Sequence, residues 1–169
     1  MFRSIKLYFT DRPYYEQRKR YIKLQKEYRN KLKKLAKEFC PWSGWYLHEM
    51  VKTMIDFYHK TYLAGDCCWR EDESREEIAT CLGVAKYWMD ELDKLDDLDD
   101  KELLEIARTS LGVAFDKYVA DYEKKIDFNL SESNHKDAIL SSLAYEFLTE
   151  KYTKALYNII GKHIWEWCD

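Results

Sequence analysis

Residues 21–39 read YIKLQKEYRNKLKKLAKEF, and the apolar side chains in this stretch recur every three or four positions. This spacing places them on one stripe of an α-helix, with lysines and arginines around it. The stripe consists of Tyr21, Leu24, Tyr28, Leu32, Leu35 and Phe39. Proline favours the first turn of a helix, and a helix usually ends before a later proline. Pro13 and Pro41 therefore predict a helix from about Pro13 to Phe39.

The remaining chain shows further helical patterns at about residues 44–64, 74–95, 99–122 and 133–169. In the second helix, the positions predicted to be buried are Leu47, Met50, Val51, Met54, Ile55, Tyr58 and Tyr62. Asp99 and Glu102 have the spacing of a capping box, which predicts the start of the fourth helix. Glycine (5) and proline (2) are scarce among the 169 residues, which disfavours turn-rich β folds. The sequence predicts an all-α bundle of about five helices with a long basic N-terminal helix, forming a single domain over residues 1–169.

Charge is distributed unevenly along the chain. Residues 1–40 contain 13 Lys and Arg against 4 Asp and Glu, whereas residues 41–169 contain 15 against 27. A basic segment on an acidic body indicates either an anionic partner or electrostatic docking on the body or on another subunit. Both interpretations stay open at this point, and we expect a homo-oligomer. The acidic body would repel a nucleic acid duplex, so nucleic acid is not the expected partner.

Composition also disfavours several classes of protein. No apolar run approaches the roughly 20 residues that span a bilayer, so no membrane association is expected. The N-terminus lacks the apolar core of a signal peptide, which predicts a cytoplasmic protein. The five cysteines are odd in number and form no CxxC pair, which favours free thiols and no structural zinc. We expect neither a metal nor a cofactor.

The aromatic content suggests how an anionic ligand would be bound. The chain has 6 Trp, 14 Tyr and 7 Phe. Aromatic rings beside cations can stack on nucleobases while Arg or Lys binds the phosphates. The predicted ligand-binding residues are Trp42, Trp45, His48, Lys52, Arg18, Arg20, His163 and Trp167. The alternative is that these rings only fill the core and interfaces of the bundle.

Two carboxylate pairs suggest a second kind of chemistry. Glu73-x-x-Glu76 and Asp90-x-x-Asp93 resemble the ExxE and ExxD signature of the all-α nucleoside triphosphate pyrophosphatases. That resemblance implies Mg²⁺-dependent hydrolysis of a nucleotide. The chain departs from the pattern because Asp90 replaces a glutamate and both pairs fall on one predicted helix. The alternative interpretation is a solvated acidic face.

The C-terminal sequence NIIGKHIWEWCD resembles the ending of a group of small helical proteins of tailed bacteriophages. Their His-Ile-x-x-Trp-x-Asp pattern is matched by His163, Ile164, Trp167 and Asp169. The stretch WSGWYLHEMVKTMIDFY, residues 42–58, is similar in character to their aromatic-led helix. The resemblance implies a phage accessory protein, of anti-defence type, acting in the host bacterial cytoplasm.

These observations lead to three predicted functions. The first is a binding protein that sequesters a small anionic ligand, such as a nucleotide immune signal, without catalysis. The second is a protein-interaction module that inhibits a host factor. The third is the Mg²⁺-dependent pyrophosphatase.

Overall fold

The computed structural model describes the backbone of residues 2–38, 44–63, 74–127 and 129–168. Side chains are described for residues 14–38, 46–63, 75–127, 129–131 and 133–163. Within these ranges the chain forms α-helices joined by short turns and one 3-10 helix, and no strand occurs. The predicted all-α helical bundle is therefore confirmed.

The residues that the structure describes form five α-helices. They are α1 (Phe2–Lys37), α2 (Gly44–Leu63), α3 (Ser74–Leu95), α4 (Asp100–Ile126) and α5 (Lys136–Cys168), with the 3-10 helix Leu130–Glu132 before α5. The start predicted at Pro13 is wrong, because α1 already begins at Phe2. Proline within a helix removes one backbone hydrogen bond and disfavours the helix there. At Pro13 this local preference is overridden, and the helix continues on both sides.

The capping box predicted for the fourth helix is present. The Asp99 carboxylate accepts hydrogen bonds from the backbone N–H groups of Lys101 and Glu102, both at 2.9 Å. The Glu102 carboxylate in turn accepts the backbone N–H of Asp99 at 2.9 Å. These bonds satisfy N–H groups that have no partner inside the helix. Further along, α4 is kinked at Leu111, next to Gly112.

The chain divides into two compact units, and the second comprises Tyr87–Asn158. Its core lies where α4 packs on α5, with the rings of Phe115 and Phe147 5.4 Å apart. The Tyr145 hydroxyl also donates a hydrogen bond of 2.6 Å to Asp96. The buried core residues are Leu95, Leu103, Ala107, Phe115, Leu130, Leu140, Leu143, Ala144, Phe147 and Leu148.

The first unit comprises residues 1–86 and 159–169. In it, α1 and α2 run antiparallel. Away from the connection between the two helices, Tyr28 of α1 contacts Phe57 of α2, with their ring centroids 5.4 Å apart. Glu38 follows the end of α1 and lies near Tyr46 at the start of α2, where burial and this carboxylate together raise the pKa of Tyr46.

Two residues predicted to be buried on α2 are exposed. Leu47 is 60% exposed and Met54 is 41% exposed, whereas Ile55 and Tyr62 are buried as predicted. Leu47 and Met54 are seven positions apart, which places them on one line along the helix. That line lies at the edge of the apolar face, and periodicity alone does not show how much of that face a neighbouring helix covers.

None of the described helices combines the length and the apolar character that crossing a bilayer requires. The single domain over residues 1–169, the cytoplasmic location and the homo-oligomeric state remain predictions.

Candidate functional site

A groove of about 630 Å³ runs between α1 and α2 in the first unit. This volume falls within the range of roughly 300–1,000 Å³ typical of small-molecule sites. The lining residues are Gln25, Tyr28, Arg29, Leu32, Lys33 and Ala36 from α1, and Met50, Thr53, Met54, Phe57 and Tyr58 from α2.

The two walls of the groove differ in chemistry. The α2 wall is mainly apolar, because its lining residues include Met50, Met54 and Phe57. On the α1 wall, Tyr28, Leu32 and Ala36 line the groove. Beside them lies an edge of polar side chains, which consists of Gln25, Arg29 and Lys33. An apolar surface with cations on one side can bind a ligand that has an apolar or aromatic body and a negatively charged group.

A polar cluster of Tyr28, Asp56 and Lys60 fixes one wall of the groove. The buried Tyr28 hydroxyl donates a hydrogen bond to the Asp56 carboxylate. The Lys60 ammonium donates to the Tyr28 oxygen and to Asp56, each at 2.8 Å. The ammonium of Lys31 also lies 4.5 Å from the centroid of the Tyr28 ring, which is a cation–π contact. The Tyr28 ring is therefore held in place while it lines the groove.

The pKa shifts show which charges this cluster carries. Burial and the hydrogen bond to Asp56 raise the pKa of Tyr28 and outweigh Lys60, so the phenol stays neutral at pH 7. Burial alone would raise the pKa of Asp56, but the hydrogen bonds from Lys60 and Tyr28 lower it below its ordinary value. Hydrogen bonds to Asp56 and Tyr28 raise the pKa of Lys60. Lys60 therefore neutralises Asp56, and this carboxylate does not offset the charge of Arg29 or Lys33.

Replacing Tyr28 by phenylalanine should lower the free energy of unfolding by about 1 kcal/mol, because the ring stays while Asp56 and Lys60 lose the hydroxyl that hydrogen-bonds to both. Urea denaturation followed by circular dichroism measures this change. Tyr14→Phe is the matched control, since Tyr14 lies on the same helix and is exposed. Equal effects of the two substitutions would show that the cluster does not stabilise the α1–α2 pair.

His59 lies where α2 approaches α3. A Cβ atom at position 83, which is Gly83, would lie 3.4 Å from the Nε2 atom of His59, so the two helices are within van der Waals reach here. Burial lowers the pKa of His59 from 6.5; Lys86 and Lys60 lower it further, and Asp56 opposes them. His59 is therefore neutral in the folded protein at pH 7.

The depressed pKa of His59 predicts that stability falls as the medium becomes acidic. In the unfolded chain, His59 has a pKa of about 6.5. Above this pH, its imidazole is neutral in both the folded and the unfolded protein, and the full stability is present. As the pH falls from 6.5 toward the lower folded pKa, the unfolded chain binds the proton first and is favoured. Urea denaturation from pH 7.5 to 5 should show a smaller loss of stability for His59→Gln than for the unchanged protein.

His135 provides the control for this experiment, because it is exposed in the turn before α5. His135→Gln should keep the slope of stability against pH that the unchanged protein shows. If His59→Gln also keeps that slope, His59 does not contribute to acid sensitivity.

The predicted ligand-binding residues are placed as follows. Arg18 and Arg20 are exposed on α1, and His48 and Lys52 are half-buried one turn apart on α2. None of these four lines the groove. His163 is half-buried on α5, in the C-terminal part of the first unit. Trp42 lies outside the described residues, as do the side chains of Trp45 and Trp167, so the meeting of indole rings and cations remains a prediction.

The sequence contains no signal that singles out the groove. No acidic residue lies three or four positions from Arg29 or Lys33. Elsewhere on α1, Lys19 pairs with Glu16 at 3.7 Å and Lys31 pairs with Glu27 at 3.3 Å, each one turn away. Arg18, Lys26 and Lys37 also have no acidic residue three or four positions away, so this pattern does not single out the groove cations.

The carboxylate pairs proposed to bind Mg²⁺ lie on α3 or just before it. Glu73 lies outside the described residues, Glu76 is exposed, and Asp90 and Asp93 are half-buried. Among the residues that the structure describes, no group of three or more His, Cys, Asp or Glu side chains is arranged to hold a metal ion.

No protein-family model, curated protein or solved structure matches this chain. The site is therefore described by its geometry alone. It is an apolar groove with cations along one edge, and it lies between α1 and α2 of a helical bundle.

Proposed function

We propose that this protein binds a small anionic ligand with an aromatic or apolar body in the α1–α2 groove, without catalysing a reaction. The observation that carries the proposal is the position of Arg29 and Lys33 at the edge of an apolar groove of about 630 Å³. A nucleotide has the required combination of a flat ring system and negative charge. In this arrangement Phe57 and Tyr58 would contact the ring, and Arg29 and Lys33 would bind the phosphates.

The charge of the groove supports an anionic ligand. Neither the Arg29 nor the Lys33 side chain forms a salt bridge or hydrogen bond with any part of the chain that the structure describes. Like charges four positions apart destabilise an isolated helix, so this pair is unfavourable unless something else compensates it. A bound anion would supply that compensation.

The resemblance of the C-terminal sequence supports a biological role for such binding. The proposal is a phage accessory protein that sequesters a nucleotide immune signal in the host cytoplasm. Expression of the protein in a bacterium whose defence uses a nucleotide signal should then increase the plaques formed by a sensitive phage. The double variant Arg29→Glu/Lys33→Glu should not increase the number of plaques. If it increased them as much as the unchanged protein does, a role for this groove would be excluded.

Inhibition of a host factor through a docked helix is the second candidate function. The flexible side chains of Met50 and Met54 line the groove, and Met54 is exposed. Methionine adapts to varied apolar partners, and an amphipathic helix can lie in a groove between two helices. A partner helix with acidic residues along one edge would suit the cations on α1.

Thermal denaturation with adenine nucleotides tests the first proposal. A ligand at about 100 times its Kd stabilises the folded state by about 2.7 kcal/mol, which raises the Tm of a chain of this size by roughly 5–10 °C. The shift should occur with and without Mg²⁺. Met54→Glu should abolish it, because the new carboxylate faces the bound anion across the groove.

Leu63→Glu is the matched control, since Leu63 is an exposed apolar residue of α2 that does not line the groove. This variant should keep the shift. A Tm that no nucleotide changes would overturn the proposal and favour the docked helix. A shift that appears only with Mg²⁺ and accompanies loss of triphosphate would favour the pyrophosphatase.

A further inference from the structure

The polar side chains at the edge of the groove are regularly spaced along α1. Gln25, Arg29 and Lys33 are each four positions apart, so they form one line that rises about 12 Å along α1 and is inclined by about 26° to the helix axis. The Cβ atoms of neighbours in this line are about 5–6 Å apart. All three residues are exposed at the groove and can reach a ligand in it.

The line has no counter-charge of its own. The residues three or four positions from Arg29 and Lys33 are Gln25, Lys26, Leu32, Asn30, Ala36 and Lys37, together with the two cations themselves. Across the groove, the α2 residues that line it are apolar or carry neutral hydroxyls. Asp56 lies close by, but Lys60 neutralises it through a hydrogen bond of 2.8 Å. Two positive charges, one helical turn apart, therefore remain available to a ligand.

We infer that the groove selects a ligand with two separate negative groups, spaced so that one meets Arg29 and the other meets Lys33. This inference rests on the proposed function and names the class of ligand more closely. Two phosphates separated by a sugar, as in a 5′-phosphorylated dinucleotide, have this character. The adjacent phosphates of a nucleoside diphosphate do not, because they form one compact group of charge. The apolar α2 wall, with Phe57 and Met54, would contact the bases or the sugar between the phosphates.

Isothermal titration calorimetry with three adenine ligands tests the inference. The first is the 5′-phosphorylated diadenylate pApA, which has two separate phosphates. The second is ADP, which has a similar total charge in adjacent phosphates. The third is ApA, which has two bases but one phosphate. We expect pApA to bind at least about tenfold more tightly than either of the others, because one further charge-assisted contact forms.

Charge-neutralising variants assign this preference to the line of cations. Arg29→Gln and Lys33→Gln should each reduce the affinity for pApA about tenfold and bring it near that for ADP. Lys34→Gln is the control, because Lys34 is exposed on α1 and does not line the groove. All three positions are exposed, so the variants should fold, and circular dichroism checks this.

The outcomes separate this inference from the proposed function. Equal affinities for pApA and ADP, or a preference that survives Lys33→Gln, would overturn the inference and leave nucleotide binding in place. Failure of all three ligands to bind would overturn both. Much tighter binding of a long oligoadenylate than of pApA would also overturn the inference, since the ligand would then be a strand.

Discussion

Replacing Phe115 by alanine should lower the free energy of unfolding of the second unit by about 3–5 kcal/mol. Phe115 is only 1% exposed, and its ring packs on Phe147 of α5. Removing the ring loses its transfer free energy and leaves a cavity between α4 and α5. A change of this size is a large fraction of the stability of a typical domain.

Val113→Ala is the matched control, since Val113 is 88% exposed on the same helix two residues away. Urea denaturation of both variants, followed by circular dichroism, measures the difference between them. A loss below about 1 kcal/mol for Phe115→Ala would mean that this contact between α4 and α5 does not form the core.

Reversing both groove cations, in Arg29→Glu/Lys33→Glu, should weaken nucleotide binding by about 100-fold or more. Each cation is expected to make a charge-assisted hydrogen bond worth about 1.5–3 kcal/mol, and each 1.4 kcal/mol corresponds to a tenfold change in affinity. The new carboxylates would also repel the phosphates. Titration calorimetry with the tightest-binding nucleotide measures the effect.

The control for charge reversal is Lys23→Glu/Lys34→Glu. Lys23 and Lys34 are exposed on α1 and do not line the groove, so this variant has the same change in net charge. The affinity of this control variant for the nucleotide should fall at most a few-fold, because salt screens exposed charges that lie at a distance from the ligand. Similar losses in the two double variants would show that overall charge, and not the groove, attracts the ligand.

The helices could be predicted from sequence because their signals are local. The spacing of Leu103, Ala107 and Phe115 and the pair Asp99 and Glu102 are contained within one helix and its cap. The start of α1 could not be predicted, because the preference at Pro13 competes with the helix on both sides of it. The exposure of Met54 depends on how far α1 covers α2, which periodicity does not determine.

The groove could not be predicted because it depends on two helices that meet far apart in sequence. Tyr28 appears as one apolar position of a stripe, and its partners Asp56 and Lys60 lie 28 and 32 positions away. Arg29 and Lys33 look like any solvated face until the antiparallel pairing of α1 with α2 places them beside Phe57. The groove combines tyrosine and phenylalanine rings with Arg29 and Lys33, but none of the predicted ligand-binding residues whose side chains the structure describes lines it. The predicted contribution of tryptophan remains untested.

The central claim is that a nucleotide binds in the α1–α2 groove, and it can be tested at single methionine side chains. Met50 and Met54 line the groove, whereas Met89 is buried in the second unit. Protein labelled with ¹³C at the methionine methyl groups can be titrated with nucleotide and followed by NMR. Binding in the groove predicts that the Met50 and Met54 signals shift progressively to saturation while the Met89 signal stays in place. Saturation of binding with the Met50 and Met54 signals unchanged would contradict the account.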